Sequence, residues 1–569
     1  MILASAEKIK DYTEKGWWGE QKITDFLLER VKKDADKEAL VDPMNKQAIC
    51  GIEQKRYTFS DIGKQSDQLA DYLMENGIEK DDIVILHLPN ISELILSFLA
   101  LAKIGAIACP FPVQYREYEV EQLTNKVEAK AIITTNVINE RKYTEMYVNL
   151  LEQMPTVKQV YTWDAAEHEH VLSLQNIEKR TIRNAELLQE VKIGVTANDI
   201  FTLCWTSGTT GTPKAVPRSH NEWLFSATGV IDGARLTKDE LQLNTFPLIN
   251  MAGIAGTLYP WLMLGMKVVL HHPFDLQVFF QQIAIEKITY TLAPPPLLNQ
   301  LLKNKELLSK INLSTVRAIG SGSAPLSPWM VKGWKEDHNI DIINYFASNE
   351  GSSFISGPSA IPDPEIRAKY FPRFGVAGFD WDVRIADKME SKLVDFETGE
   401  IITEANHPGE LWIRGAGVFA GYWGDHDNQL GVFDEDGFFR TGDLFEIAGE
   451  GELSAYYRVV GRLKDIIIRG GSKVSPDELE NILQAHPKIA EVAVIGYPCE
   501  IYGERACACI VPAANETVTK DVVTAFLKNS QIASYKIPEK VIIVDALPRN
   551  PVGKVLKYRL KEDLKVELV

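Results

Sequence analysis

Residues 204–220 read CWTSGTTGTPKAVPRSH and crowd together groups that can hold a phosphate. Thr206, Ser207, Thr209 and Thr210 offer hydroxyl donors. Gly208 and Gly211 let backbone N–H groups come close to an anion, and Lys214 supplies positive charge. The string is not a Walker A loop, which sets Gly directly before its Lys and Ser or Thr directly after it. Here Pro213 precedes Lys214 and Ala215 follows. Pro213 also disfavours helical geometry at Thr212, so a phosphate here would be held without a helix-dipole cradle. Gly and Thr are equally the composition of a surface turn, and the loop alone leaves both readings open. His220 closes the stretch; a lone histidine after a basic loop is expected to be structural.

The elements that must carry this loop alternate. Residues 82–89 (DIVILHLP) read as a buried strand and 91–106 as an amphipathic helix. Residues 267–272, 275–287 and 288–296 repeat the strand, helix, strand order, and VRAIGSG followed by SPWMVKGWKEDH repeats strand and helix. Short apolar strands alternating with helices predict a largely parallel, layered α/β fold whose ligands sit at the carboxyl ends of the strands. From about residue 464 the units shrink. A helix at 477–486, strands in EVAVIGYP and RACACIVP, a helix at 518–529 and a strand at 541–547 predict a small α+β domain of about 100 residues. The chain thus divides into an expected large domain, 1–463, and a small one, 464–569, joined through GRLKDIIIRGG with its charged step and paired glycines.

The 569 residues carry a formal charge of −17, which argues against nonspecific nucleic-acid binding while leaving room for a local anion pocket. Six cysteines include no CxxC pair, so neither a zinc site nor a disulfide framework is indicated, and reduced thiols in a cytoplasmic protein fit best. The first twenty residues are charged too early for a signal peptide. Lys103 and Lys267 interrupt the two most apolar stretches, which are expected to be core rather than membrane spans.

The loop string resembles the TSGTTGxPKG signature of the ANL superfamily of adenylate-forming enzymes, with Ala215 where Gly is usual. GSGSAPLS (320–327), YFASNEG (345–351), GELWIRGAGVFAGYW (409–423), GFFRTGD (437–443), GRLKDIIIRGGSKVSPDELE (461–480) and PRNPVGK (548–554) resemble that family's later signatures, in the same order. The resemblance implies a large N-terminal domain, a small mobile C-terminal domain and a two-step reaction. A carboxylate attacks the α-phosphate of ATP, releasing pyrophosphate, and a thiol then captures the acyl-adenylate.

By the same resemblance, the residues from Thr206 to Gly211 and Lys214 handle the β- and γ-phosphates. Ser323, Ala324, Pro325 and Phe346 face adenine, Phe346 standing where Tyr is usual. Asp443 and Arg462 bind the ribose, a carboxylate being a good acceptor for a diol. Glu350 is the Mg²⁺ ligand, a hard oxygen donor of the kind magnesium takes. Asn349 stands where the family has Thr, keeping a donor near the α-phosphate. Lys554 is the adenylation lysine, a point charge for the transition state. Lys464 takes the hinge position, and Gly470 and Gly471 line the tunnel for the pantetheine of CoA.

Asn250, Met251, Gly253, Gly320, Gly322 and Ala347 are the expected acid pocket. Its strings are mostly apolar, which favours a compact aromatic or alicyclic acid such as benzoate or cyclohexane carboxylate. TLAPPPLL and VPRSH lean toward the aryl-acid branch, although PLIN lacks the HN pair of dihydroxybenzoate-activating enzymes. A medium-chain fatty acid is the alternative substrate, and a carrier protein the alternative thiol to CoA. The expected assembly is a monomer or homodimer.

Overall fold

The computed structural model describes residues 1–206, 213–424, 431–469, 472–499, 501–530, 532–549 and 554–568. The alternation read from the sequence builds two mostly parallel sheets. One has seven strands. Ile83–Leu86 lies between Ile107–Pro110 and Ala131–Thr134, and Ile200–Thr206 pairs parallel with Ile107–Pro110 and antiparallel with the edge strand Lys214–Ser219. The other has eight. Lys267–Leu270, Leu241–Asn244, Tyr290–Leu292, Ala318–Gly322 and Asp341–Ala347 run parallel, and Ser353–Ser356 closes one edge antiparallel.

A third sheet, which the alternation does not announce, is wholly antiparallel: Tyr370–Pro372, Tyr456–Arg462, Phe439–Ile447, Gly409–Gly415 and Met389–Val394. One apolar core joins all three sheets, running from Tyr12 and Ile62 through Trp223 and Phe354 to Tyr457. Helix Ser92–Ile104 is buried at every position. Its one cation, Lys103, is accommodated by Asp67 at 2.8 Å and by the Ser66 hydroxyl at 2.6 Å, so this run is core, as its interrupting charge predicts. Among the described residues no helix is long and apolar enough to cross a membrane.

The C-terminal unit has cores of its own. Ile467, Leu479, Val494, Ile510 and Leu527 form one, and Cys507, Leu547, Leu560 and Leu568 contribute to another. Its sheet contains Ile467–Arg469, Ser472–Val474, Gly503–Pro512, Ile489–Cys499 and Lys540–Ile543. A large α/β body and a small α+β unit are therefore separately packed, which is the architecture the sequence predicts. Between them, Lys464 is exposed in the single 3₁₀ turn Leu463–Asp465.

Candidate functional site

Ile200–Thr206 leads into the Gly/Thr loop, and Lys214–Ser219 leads out of it, with Thr206 opposite Lys214 in antiparallel register. The loop is thus carried by a hairpin and not by a strand-to-helix turn, in keeping with Pro213. Ser207, Gly208, Thr209, Thr210 and Gly211 lie outside the described residues. The Lys214 ammonium lies 4.5 Å from the centre of the Tyr422 ring. The Tyr422 hydroxyl donates to Glu350 Oε1 at 3.1 Å. Backbone bonds hold these pieces together: Trp423 N donates to Ala215 O, and Phe419 N to Glu350 O, both at 3.0 Å. Gly351 must be glycine here. It has φ +120°, and a Cβ would fall 2.1 Å from the Gly417 carbonyl oxygen.

The strand Lys214–Ser219 carries a fully buried cation, Arg218. Arg218 Nη1 donates to Asn349 O at 2.7 Å, and Nη2 donates to Glu222 O at 2.9 Å. Burial lowers the pKa of Arg218 and raises that of its neighbour Glu222, and each charge opposes the other's shift. The pair fixes the backbone that presents Glu350. Asn349 is more engaged than its motif position suggests. Its Oδ1 accepts from Met251 N at 2.9 Å, and its Nδ2 donates to Trp205 O at 3.2 Å. The amide therefore ties Trp205, just before the Gly/Thr loop, to Met251. His220 stacks on Phe201 at 5.0 Å and bonds the Tyr259 hydroxyl at 2.9 Å; burial lowers its pKa to about 3. It is a structural histidine.

Across the cleft, Asp443 and Arg462 face each other in register on neighbouring strands, with Nε 3.1 Å from Oδ1. Asp443 is only 4% exposed. Burial raises its pKa, while Arg462 and then Lys554 hold it down. Lys554 keeps an exposed face, yet protein mass around its ammonium lowers its pKa to about 8. Arg462 pushes in the same direction, and Asp443, Asp477 and Asp465 oppose. The structure thus brings Lys554 of the small unit within electrostatic reach of the Asp443–Arg462 pair on the large one.

The acid-side segment is held by Asn90. Its Nδ2 donates to Phe246 O at 2.9 Å, and its Oδ1 accepts from Leu248 N at 3.0 Å. Asn250 caps the short helix Met251–Gly253, accepting from Ala252 N at 3.1 Å. Gly253 is required by close backbone approach, since a Cβ would lie 2.3 Å from Pro247 O. Gly320 lies under Leu292, Tyr290 and Tyr345, and a Cβ there would meet all three at 2.5–2.6 Å. Gly322 packs as closely on the Tyr345 carbonyl. Ser323, Ala324 and Pro325 are exposed at the carboxyl end of Ala318–Gly322, Ser323 with φ +69°, and Ala347 is exposed at the end of the next strand. Phe346 packs edge-on against Phe445, with ring centres 4.9 Å apart, so it is anchored in the aromatic cluster of the third sheet and keeps only part of its surface. Gly470 and Gly471 lie outside the described residues.

The sequence alone assigns no role to Arg218, Tyr422, Asn90, Tyr290 or Tyr345. Tyr422 sits within a quoted motif, but nothing local marks it as a partner of Glu350. Tyr290 reads only as a strand residue, and Tyr345 opens the YFASNEG string without being marked there as a partner of Tyr290.

Comparison with known proteins adds to this geometry. The family model described as AMP-binding enzyme matches residues 27–423, and the model of the AMP-binding enzyme C-terminal domain matches 478–554. A medium-chain fatty-acid–CoA ligase of Escherichia coli (strain K12) is 29% identical over 559 residues, covering 97% of this chain and 92% of that protein. A 2,3-dihydroxybenzoate-AMP ligase of Bacillus subtilis (strain 168) is 28% identical over 568 residues, covering 99% and 97%. Among solved structures, an anthranilate CoA ligase in complex with anthranoyl-AMP superposes with a TM-score of 0.80 at 23% identity, over 96% of this chain and 98% of that one.

Proposed function

We propose, for a chain that belongs to the AMP-binding enzyme family and so to the adenylate-forming ANL superfamily, that it is an AMP-forming ligase joining a compact cyclic carboxylic acid to CoA. The observation that carries this reading is Lys554, which comes from the small unit yet interacts electrostatically with Asp443 and Arg462 of the large one. A cation so placed can neutralise charge that develops as a carboxylate attacks the α-phosphate. Asp443 accepts from the ribose hydroxyls while Arg462 holds its carboxylate in place. Glu350 would hold Mg²⁺, and one oriented carboxylate completing a shell of phosphate oxygens and water suits that ion. When bound, the ion neutralises phosphate charge. Lys214 and the loop before it hold the departing pyrophosphate.

The exposed Lys464 turn then lets the small unit swing, withdrawing Lys554 and bringing residues 468–473 to the site for thioester formation. A compact acid suits a floor on which Leu292, Tyr290 and Tyr345 already crowd Gly320. The relatives include enzymes named for CoA ligation and for acyl-AMP formation, so the acceptor needs a direct test.

That test is acid-dependent AMP release from MgATP with benzoate, cyclohexane carboxylate, hydroxybenzoates and fatty acids, each with and without CoA. CoA-stimulated turnover of one cyclic acid is the expected result. Adenylate that CoA cannot discharge would instead identify a carrier protein as the thiol. Preference for a medium-chain acid would overturn the compact pocket.

A further inference from the structure

The floor of the acid side is not uniformly apolar. Three parallel strands place Leu292 opposite Gly320 and Gly322 opposite Tyr345. Alternate residues of each strand share a face, so Tyr290, Leu292, Gly320, Gly322 and Tyr345 converge on one side of the sheet. Gly320 has no side chain, and the space it leaves is taken by Leu292 Cδ2, the Tyr290 hydroxyl and the edge of the Tyr345 ring, all within 2.6 Å of where a Cβ would stand. The two phenol oxygens are 3.0 Å apart and hydrogen-bonded. Burial raises both phenols well above the ordinary tyrosine pKa, so both carry their protons at neutral pH.

Two hydroxyls carry two protons, and one bond between them uses one. Among the described residues neither oxygen has another hydrogen-bond partner. One O–H is therefore left without a protein acceptor. Tyr290 is fully buried, whereas Tyr345 is partly exposed. The arrangement that leaves no buried donor unmatched has Tyr290 donating to Tyr345, and Tyr345 donating outward.

We propose that the Tyr290–Tyr345 pair is a recognition subsite for one hydrogen-bond acceptor on the acid. That acceptor is a hydroxyl, ether or carbonyl oxygen on the edge of the compact body remote from the carboxylate. The inference rests on the reading that this cleft binds a carboxylate for adenylation, and it narrows the substrate from a wholly apolar ring to a ring bearing a distal oxygen. The body of the ring lies against Leu292; Tyr345 reads its far edge. An acid without the oxygen leaves the donor unmatched once water is displaced, and sites built around such a bond discriminate strongly against the analogue that lacks it.

The test is ATP–pyrophosphate exchange with matched acids: cyclohexane carboxylate against 4-oxocyclohexane carboxylate, and benzoate against its 4-hydroxy and 4-methoxy derivatives. In the unaltered protein the oxygen-bearing member of at least one pair is expected to have a kcat/KM at least ~100-fold higher. Tyr345→Phe should cut that ratio by about tenfold or more, by lowering turnover of the oxygen-bearing acid while the plain acid is unchanged or improved. Tyr290→Phe should change it by only a few fold, because the outward donor survives. A general packing defect would instead lower both members together. Equal or better turnover of the plain acids by the unaltered protein overturns the subsite without requiring any variant to fold. Exchange with neither kind of acid, while ATP still binds by calorimetry, overturns the carboxylate reading itself.

Discussion

On the nucleotide side of the cleft, charges face one another. Arg462 lies 3.1 Å from Asp443, and Lys554, from the other unit, is attracted by Asp443 and repelled by Arg462. On the proposed acid side, Gly320 is packed against Leu292, Tyr290 and Tyr345, and the two tyrosines form a neutral hydrogen-bonded pair of phenols. The contrast fits the ligands proposed for each side. A triphosphate brings several charges, and a low-dielectric wall is productive for it only when opposite charges are fixed in place beforehand. A compact ring brings shape and at most one polar edge, so its recognition depends on where volume is removed and where one donor is left over. A third group of residues joins the two sides: Asn349 reaches Met251 N with its oxygen and Trp205 O with its nitrogen.

Substitutions on the two sides should therefore fail differently. Lys554→Ala is expected to lower acid-dependent adenylation by about 10²–10³-fold with nucleotide binding retained, read by pyrophosphate exchange beside calorimetry. Its pH profile sharpens the point. With a pKa near 8, Lys554 is cationic below that value and loses its proton above it. Adenylation should then fall as pH rises through about 8, and Lys554→Arg, charged at every accessible pH, should lack that limb. If the limb persists in the Arg variant, another group is titrating.

Gly320→Ala should act on the other substrate. Forcing a methyl group against three side chains is expected to raise KM for the acid by ~10–100-fold and leave KM for ATP unchanged. Equal effects on both substrates would erase the distinction between the two sides. Asp443→Asn should show the reverse pattern, with KM for ATP raised about tenfold and the ranking of acids unchanged. Tyr422→Phe removes a single bond to Glu350 Oε1 and should raise the Mg²⁺ concentration for half-maximal rate by only about threefold, with the melting temperature unmoved.

The two sides also differ in how far they can be read from the chain. Asp443, Glu350 and Lys554 stand inside short strings whose order along the sequence marks them, and the structure gathers their side of the cleft. The alternating strands and helices of the two parallel sheets follow from local apolar runs, such as 82–89 and 275–287. The antiparallel sheet between residues 370 and 462 does not, because its strand Gly409–Gly415 has the alternating burial of a one-sided strand within a stretch rich in turns. Asn349 shows the limit even within a motif: the string gives its position but not that its amide is tied to Met251 and Trp205.

By itself the sequence determined the fold class and the family, because each is written in local periodicity or in contiguous strings. Only the tertiary structure decided what lies over Gly320, which buried cation presents Glu350, and which unit's lysine reaches Asp443. Tyr290 and Tyr345 are 55 positions apart, and Arg218 and Asn349 are 131 apart. Their meeting depends on strand order and register, which arise from burying apolar faces across the whole core, and no local pattern of residue types encodes that.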